Sequence, residues 1–299
     1  MGARAAEGGM EPGPDANRPS VGIFDSGVGG LSVLREVVAR LPCQDIVYLA
    51  DEAHVPYGSR RLAEIRTFSR AIASFLIGQG ACAVVVACNT ASAAALPQLR
   101  AWFDVPVVGM EPAVKPAAER TRSRHVGVIA TQATFQGELF ARLLERFAAD
   151  TAVHTQVCPG LVERVEAGRL DDPETEALLR SYLQPLLDAG MDSLVLGCTH
   201  YPFLLPAIRR VVGPEVDVID PAPAVARQTE RVLEGAGCLC TGGVGQVRYF
   251  TTGEAAAFQA KVERLVAIPG QVEAVAWKRG RLPAVPAVKG YGAEKNQGV

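Results

Sequence analysis

Along residues 20–220 of this 299-residue chain, short apolar runs alternate with longer stretches in which apolar positions recur every three or four residues. The runs at 21–24 (Val-Gly-Ile-Phe), 46–50, 83–87, 106–109, 126–130, 193–197 and 216–219 predict strands. They are nearly continuous in their apolar character, the mark of strands buried on both faces, as in parallel sheets. The stretches at 31–41, 60–78, 91–103, 136–148, 174–189 and 203–212 predict helices. Strands alternating with helices predict an α/β fold with a mostly parallel sheet covered on both sides.

The pattern also repeats. Val21-Gly22-Ile23-Phe24-Asp25-Ser26 is echoed by Val126-Gly127-Val128-Ile129-Ala130-Thr131, and Val84–Cys88 by Leu194–Cys198. Leu96-Pro97-Gln98-Leu99-Arg100 returns as Leu205-Pro206-Ala207-Ile208-Arg209, and Glu111-Pro112 as Asp220-Pro221. Four matches in order, at offsets of 105 to 110 residues, predict two pseudo-symmetric α/β domains with the active site in the cleft between them. The first would span 20–115 and be completed by a return of 222–270; the second would span 116–221. Residues 1–19, rich in Gly, Pro, Ala and charge, predict a disordered extension. Residues 271–299, from which periodicity fades, predict a loose C-terminal tail.

Composition narrows the function. The chain is 48% apolar, and its 30 Lys and Arg against 32 Asp and Glu leave a formal charge of −2. There is no basic excess for nucleic acid and no polybasic membrane patch. The first twenty residues lack the apolar stretch of a signal peptide, and no run is long enough for a membrane helix. The seven cysteines are odd in number and lack small-domain disulfide spacing. They read as reduced thiols in a cytoplasmic enzyme.

The chemistry lies where two of the strand runs end. Each stops at a cysteine, Cys88 followed by Asn89-Thr90 and Cys198 followed by Thr199-His200. An isolated cysteine usually packs as a small hydrophobe; a repeated pair with polar followers at strand ends points to a site. Two pseudo-symmetric halves would bring one thiol to each side of a ligand. That arrangement suits inversion of a carbon stereocentre, in which a thiolate takes a proton from one face and a thiol returns one to the other. Asp25, at another strand end, could cap the next helix or join this site. The Gly27-Val28-Gly29-Gly30 turn is neither a dinucleotide nor a Walker motif and reads as a wall for a carboxylate. A zinc site at Cys198 and His200 lacks further ligands at suitable spacing. A pyridoxal-phosphate enzyme needs a Schiff-base lysine, yet Lys115 and Lys261 are the two lysines of the expected core, and neither sits in such a motif.

Taken together, Asp25-Ser26-Gly27-Val28-Gly29-Gly30-Leu31, Asp51 with Pro56-Tyr57-Gly58, Ala87-Cys88-Asn89-Thr90-Ala91-Ser92 and Gly197-Cys198-Thr199-His200-Tyr201-Pro202 resemble the glutamate racemases of the aspartate/glutamate racemase family. The resemblance covers roughly residues 20–270. It implies a racemase that needs no cofactor and no metal and supplies D-glutamate for peptidoglycan. It implies that Cys88 takes the α-proton of D-glutamate and Cys198 that of L-glutamate. Asp25 and His200 match the residues that tune the thiols. So does Glu166, although Glu163-Arg164 stands where the family commonly has Pro-Leu, which keeps Glu163 as the alternative. Asp25, Ser26, Tyr57, Gly58, Asn89, Thr90, Thr199 and His200 would bind the substrate, joined by Thr131 or Thr134. The expected partner is a small-molecule substrate, with a homodimer as the assembly to test and no nucleic acid or membrane. The alternatives are a racemase for aspartate or another amino acid, a non-catalytic amino-acid-binding or regulatory protein, and a redox protein that joins Cys88 to Cys198.

Overall fold

The computed structural model describes residues 18–148 and 150–283. The expected extension at 1–17 and the last part of the expected tail, 284–299, lie outside the described residues. Within them, β1 (Ser20–Asp25), β2 (Asp45–Ala50), β3 (Ala81–Val86) and β4 (Val107–Gly109) belong to one sheet. A second sheet holds β5 (His125–Ala130), β6 (Ala152–Val157), β7 (Ser193–Gly197) and β8 (Asp217–Ile219) in the order β6-β5-β7-β8. The chain then returns to the first sheet with β9 (Val247–Thr251) and β10 (Gln271–Ala274), whose order becomes β10-β9-β2-β1-β3-β4. Every pairing in both sheets is parallel. The fold is therefore α/β with parallel sheets, as the strand pattern predicts. The order β2-β1-β3-β4 recurs as β6-β5-β7-β8, which gives the sequence repeat its physical meaning.

The strands are apolar throughout because both their faces are covered. In β1, Val21 and Ile23 point to one side and Phe24 to the other, and all three are fully buried. On the Val21 side lie α1 (Leu31–Arg40) and α10 (Ala222–Gly235); on the Phe24 side lie α2 (Leu62–Gly78) and α3 (Asn89–Trp102). Around the second sheet, α4 (Val114–Arg120) and α6 (Glu138–Phe147) cover one face. The other face is covered by α8 (Pro173–Asp188) and α9 (Leu205–Val212). One apolar core runs from Val21, Ile23 and Tyr48 of the first sheet to Leu194 and Leu196 of the second and Ile208 of α9. At about 1.5–3 kcal/mol for each large side chain removed from water, this shared core holds the two sheets' strand ends toward each other.

Two expectations are corrected. The helix expected over 136–148 is α6, preceded by a short further helix, α5 (Gln132–Gln136), from which it is divided at Gly137. A Cβ there would lie 2.8 Å from the Cβ of Ala93, so the close approach to α3 takes a glycine. The strands β6, β9 and β10 and the helices α4, α5, α7 (Leu161–Glu166), α10 and α11 (Ala255–Leu265) have no counterpart among the expected elements. And residues 271–283, expected as part of a loose tail, extend the first sheet. β10 pairs with β9, Leu282 is buried, and Trp277 Nε1 donates to Asp51 Oδ1 at 2.7 Å.

That last bond matters because Asp51 is fully buried. It also accepts from Tyr57 OH at 2.6 Å and Thr252 Oγ1 at 2.8 Å, and meets His54 Nδ1 at 2.9 Å. Removing one donor from a buried carboxylate costs about 1–3 kcal/mol. Trp277→Phe, which keeps an aromatic ring and deletes the N–H, is therefore expected to lower unfolding stability by about that amount in a urea titration. Unchanged stability would mean that the segment after β10 lies on the sheet without bracing it.

Candidate active site

Both cysteines emerge from strands next to the centre of their sheets. Cys88 follows β3 and caps α3, its Sγ accepting the Ala91 N–H at 3.4 Å. Cys198 directly follows β7 and precedes a short 3-10 turn, Tyr201–Leu204, that leads into α9. Parallel strands that end on the same side open a crevice at their carboxyl ends. Here two such ends face each other. Cys88 and Cys198 line a single cavity with Ser26, Tyr57, Gly58, Asn89, Thr90, Thr131, Thr199 and His200, together with Pro56 and Val162. The space inside is about 10 Å³, near the lower limit for one water molecule.

The two thiols have different surroundings. Beside Cys88, at 4.0 Å, is Ser26 Oγ, which itself donates to Asp25 Oδ1 at 2.9 Å. Burial pushes the Cys88 thiol well above its ordinary range, and the neighbouring Asp25 adds to the shift against the Ala91 N–H. Near neutral pH it carries its proton. Cys198 Sγ instead lies 3.8 Å from His200 Nδ1, whose other ring nitrogen meets Glu166 Oε1 at 2.9 Å. Burial would lower the basicity of His200, but hydrogen bonds to Cys198 and Glu166 and their negative charge raise it well above the ordinary histidine range. Glu166 moves the opposite way. Burial would raise it; His200, the Val28 N–H at 2.9 Å and Lys261 outweigh that and hold the carboxyl at about 2. The ring thus sits between a carboxylate and the Cys198 sulfur, and both favour its protonated form.

Asp25 does not cap α1. Its Oδ2 accepts Thr199 Oγ1 at 2.7 Å, and Oδ1 accepts Ser26 and the Gly27 N–H. It therefore ties the turn after β1 to the turn after β7. Burial raises its pKa, and the His200 charge offsets only part of that. The question left between Glu163 and Glu166 has a geometric answer: Glu166 reaches His200, whereas Glu163 is exposed three residues earlier on α7. Of the two threonines of the second half, Thr131 lines the cavity and Thr134 backs it. Thr90 Oγ1 meets Thr131 Oγ1 at 2.8 Å, and Thr131 meets Thr134 at 3.0 Å. Asn89 is 2% exposed, yet both its amide atoms lack a protein partner. Buried amides are almost always paired, which sets Asn89 apart among the residues lining this cavity.

Sequence reasoning missed two members of the site's surroundings, Lys261 and Glu52. Lys261 Nζ bonds Glu166 Oε2 at 3.1 Å and Glu52 Oε1 at 2.5 Å. Neither contact has a local motif, since the partners stand 95 and 209 residues away along the chain. The one available signal was that lysine is rare in the core. Among the described residues, no three His, Cys, Asp or Glu side chains are grouped to hold a metal ion, and His154 and Cys158 do not join Cys198 and His200 in one. No described helix is long and apolar enough to cross a membrane. All seven cysteines are free thiols.

Residues 24–229 match the profile of the family described as Asp/Glu/hydantoin racemase. The chain is 52% identical over 250 residues to the glutamate racemase of Pseudomonas aeruginosa, covering 83% of this chain and 93% of that one. Among solved structures it is similar to a glutamate racemase isoform from Bacillus anthracis, with a TM-score of 0.81, 33% identity and coverage of 89% and 99% of the two chains. It is also similar to the Escherichia coli glutamate racemase solved with L-glutamate and the activator UDP-MurNAc-ala, with a TM-score of 0.77, 34% identity and coverage of 87% and 98%.

Proposed function

The chain belongs to the Asp/Glu/hydantoin racemase family, and we propose that it interconverts L- and D-glutamate by proton transfer between Cα and the thiols of Cys88 and Cys198, without a cofactor. Its class, an amino-acid racemase of the glutamate racemase type, follows from the similarity over most of its length. The observation that carries the mechanism is that thiols from the two sheets line one cavity.

In the L-to-D direction, Cys198 as thiolate takes the α-proton. The electron pair left on Cα delocalises into the α-carboxylate. Cys88 then gives its proton to the opposite face, which leaves Cys198 as thiol and Cys88 as thiolate. The D-to-L direction starts from that state and runs the same transfers backward, so each thiol alternates between base and acid. The surroundings described above differ between the two thiols. Cys88 is held as a thiol by burial and by Asp25, and a cationic His200 faces Cys198. The unpaired Asn89 amide, with the hydroxyls of Ser26, Thr90 and Thr199 and the Tyr57-Gly58 turn, would hold the amino and carboxylate groups. Asp25 and His200 would contact substrate as well as tune the thiols, and Glu166 would act through His200. A closed, dry cleft strengthens these contacts when charge develops at Cα.

The same reading takes the two sheets as two domains, 20–115 with the return of 222–270 and 116–221, which part to admit substrate. Free thiols suit the reducing cytoplasm, where D-glutamate would be supplied for peptidoglycan.

The test is proton NMR of the purified protein with L-glutamate, and separately D-glutamate, in D₂O with nothing added. The Cα–H signal is expected to disappear in step with optical inversion from either enantiomer. Silence with both, while aspartate and other amino acids are also silent, would favour an amino-acid-binding protein. Inversion of aspartate in place of glutamate would keep the mechanism and change the substrate.

A further inference from the structure

Helix α11 arrives with the returning chain and packs across the outer side of the site. Its Lys261 ammonium lies between Glu52, in the turn after β2, and Glu166, at the end of α7. The three side chains are largely out of solvent: Lys261 is 24% exposed, Glu166 13% and Glu52 10%. Backbone fit keeps each carboxylate where it is. A Cβ on Gly27 would overlap Glu166 Oε1, and one on Gly253 would meet Glu52 Oε2 at 2.7 Å. One turn beyond Lys261 on the same helix, Arg264 lies over Gly168, just past α7. The helix is thus bonded to the segment carrying Glu166 through Lys261 and lies against it at Arg264.

Signs alternate along the resulting chain of contacts: Cys198, His200 (cation), Glu166 (anion), Lys261 (cation), Glu52 (anion). Resting on the two-thiol reading, we propose that Lys261 is a positioning residue for the Cys198 half of the reaction, holding the Glu166 carboxylate against His200 and so fixing the charge on the ring that faces the thiol. Lys261 touches neither substrate nor the reacting atoms. Its effect follows from what its removal leaves behind: two largely buried carboxylates on either side of the place of one ammonium. Two carboxylates facing each other without the ammonium between them favour proton uptake by the pair. Lys261 is at present one of the groups holding Glu166 at about 2. The remaining ionisable neighbours are Asp25 and Tyr48 of the first sheet, His200 and Cys198 of the second, and Arg264 on α11. Asp25 and Tyr48 add no cation that could replace the lysine, and Arg264 is turned toward Gly168.

The sign of the pH effect follows. Without Lys261, Glu166 loses one of the groups that favour its ionised form, so it takes up a proton at a higher pH than in the intact protein, its grip on His200 weakens there, and racemisation falls on the acid side. As pH rises the carboxylate returns and the loss shrinks. The experiment compares kcat/KM in both directions across pH for the wild type, Lys261→Met and Lys261→Met combined with Glu52→Gln, with thermal unfolding to establish that each is folded. Lys261→Met is expected to lose most at the acid end of the profile, up to about tenfold where the acid limb moves up by about one pH unit, and much less at alkaline pH. The added Glu52→Gln removes the competing carboxylate, lets Glu166 ionise again and recovers most of the loss. A purely structural lysine would produce a loss that is equal at every pH and that Glu52→Gln does not relieve. Either that result or no loss at all overturns the proposal. A wild-type protein that does not racemise glutamate would instead overturn the reading on which it rests.

Discussion

Cys88→Ala and Cys198→Ala are each expected to lower kcat/KM for glutamate racemisation by about 10³-fold, inside the range for removal of a general acid or base. Neither thiol can stand in for the other, because they reach Cα from opposite faces. The loss should appear in both directions, since interconversion of enantiomers has an equilibrium constant of one. The half-reactions should separate, however. In D₂O, Cys88→Ala keeps Cys198 as a base for L-glutamate, so L-glutamate exchanges its α-proton without inverting. Cys198→Ala should do the same with D-glutamate. Stability should fall modestly in each case, because both side chains are small and the cavity beside them is already lined by polar groups. Near-normal racemisation by either variant would remove the two-base mechanism, whatever the fold.

This asymmetry between half-reactions is written into the surroundings of the thiols more than into the repeat that produced them. The repeat is nearly symmetric at the level of strands. β3 and β7 occupy the same place in their sheets, and a cysteine follows each. The helper groups are not symmetric. Cys88 has a serine and a buried aspartate, whereas Cys198 has a histidine backed by a carboxylate and a lysine. A motif shared between two halves can therefore reveal where the chemistry is while hiding how the two sides differ.

The same contrast explains what could be read from the chain. Strands β1, β2, β3, β5 and β7 stand out because both faces are buried and every residue can be apolar. The edge strands β6 and β10 are half in solvent. Ala152–Val157 includes His154, Thr155 and Gln156, and Gln271–Ala274 is almost entirely exposed, so neither makes an apolar run. Cys88, Cys198, Asp25 and His200 were legible because each lies at the end of a strand or within a few residues of it. Glu166 and Glu163 were not separable, since both lie in α7 and only the docking of that short helix decides which reaches His200. Lys261, Glu52 and Trp277 were hidden for another reason. Each acts through one side chain brought in from a distant element, and a single tertiary contact leaves no periodicity behind.

Gly29→Ala is expected to cost about 10²-fold in kcat/KM, the scale at which a displacement of about 1 Å at a reacting group is felt. A Cβ at Gly29 would overlap His200 Nδ1 and lie 2.5 Å from Thr199 Oγ1, closer than real methyl contacts allow. Nδ1 is the nitrogen facing Cys198. Neither neighbour can move freely, because Glu166 holds the far side of the ring and Asp25 holds the threonine hydroxyl. The methyl must therefore push the ring away from the thiol or lift the Gly27–Gly30 turn, which also carries the Val28 N–H bound to Glu166. Overpacking of this kind costs about 1–3 kcal/mol of stability, leaving a folded enzyme in which catalysis is hurt far more than folding. Gly78→Ala is the matched control. That glycine is the last residue of α2 with nothing within 4 Å of its would-be Cβ, so alanine there should be neutral or stabilising by a few tenths of a kcal/mol, with full activity. If Gly29→Ala kept wild-type kcat/KM while its melting point fell, the contact between His200 and Cys198 would be dispensable. The cationic ring would then have to be assigned to substrate binding alone.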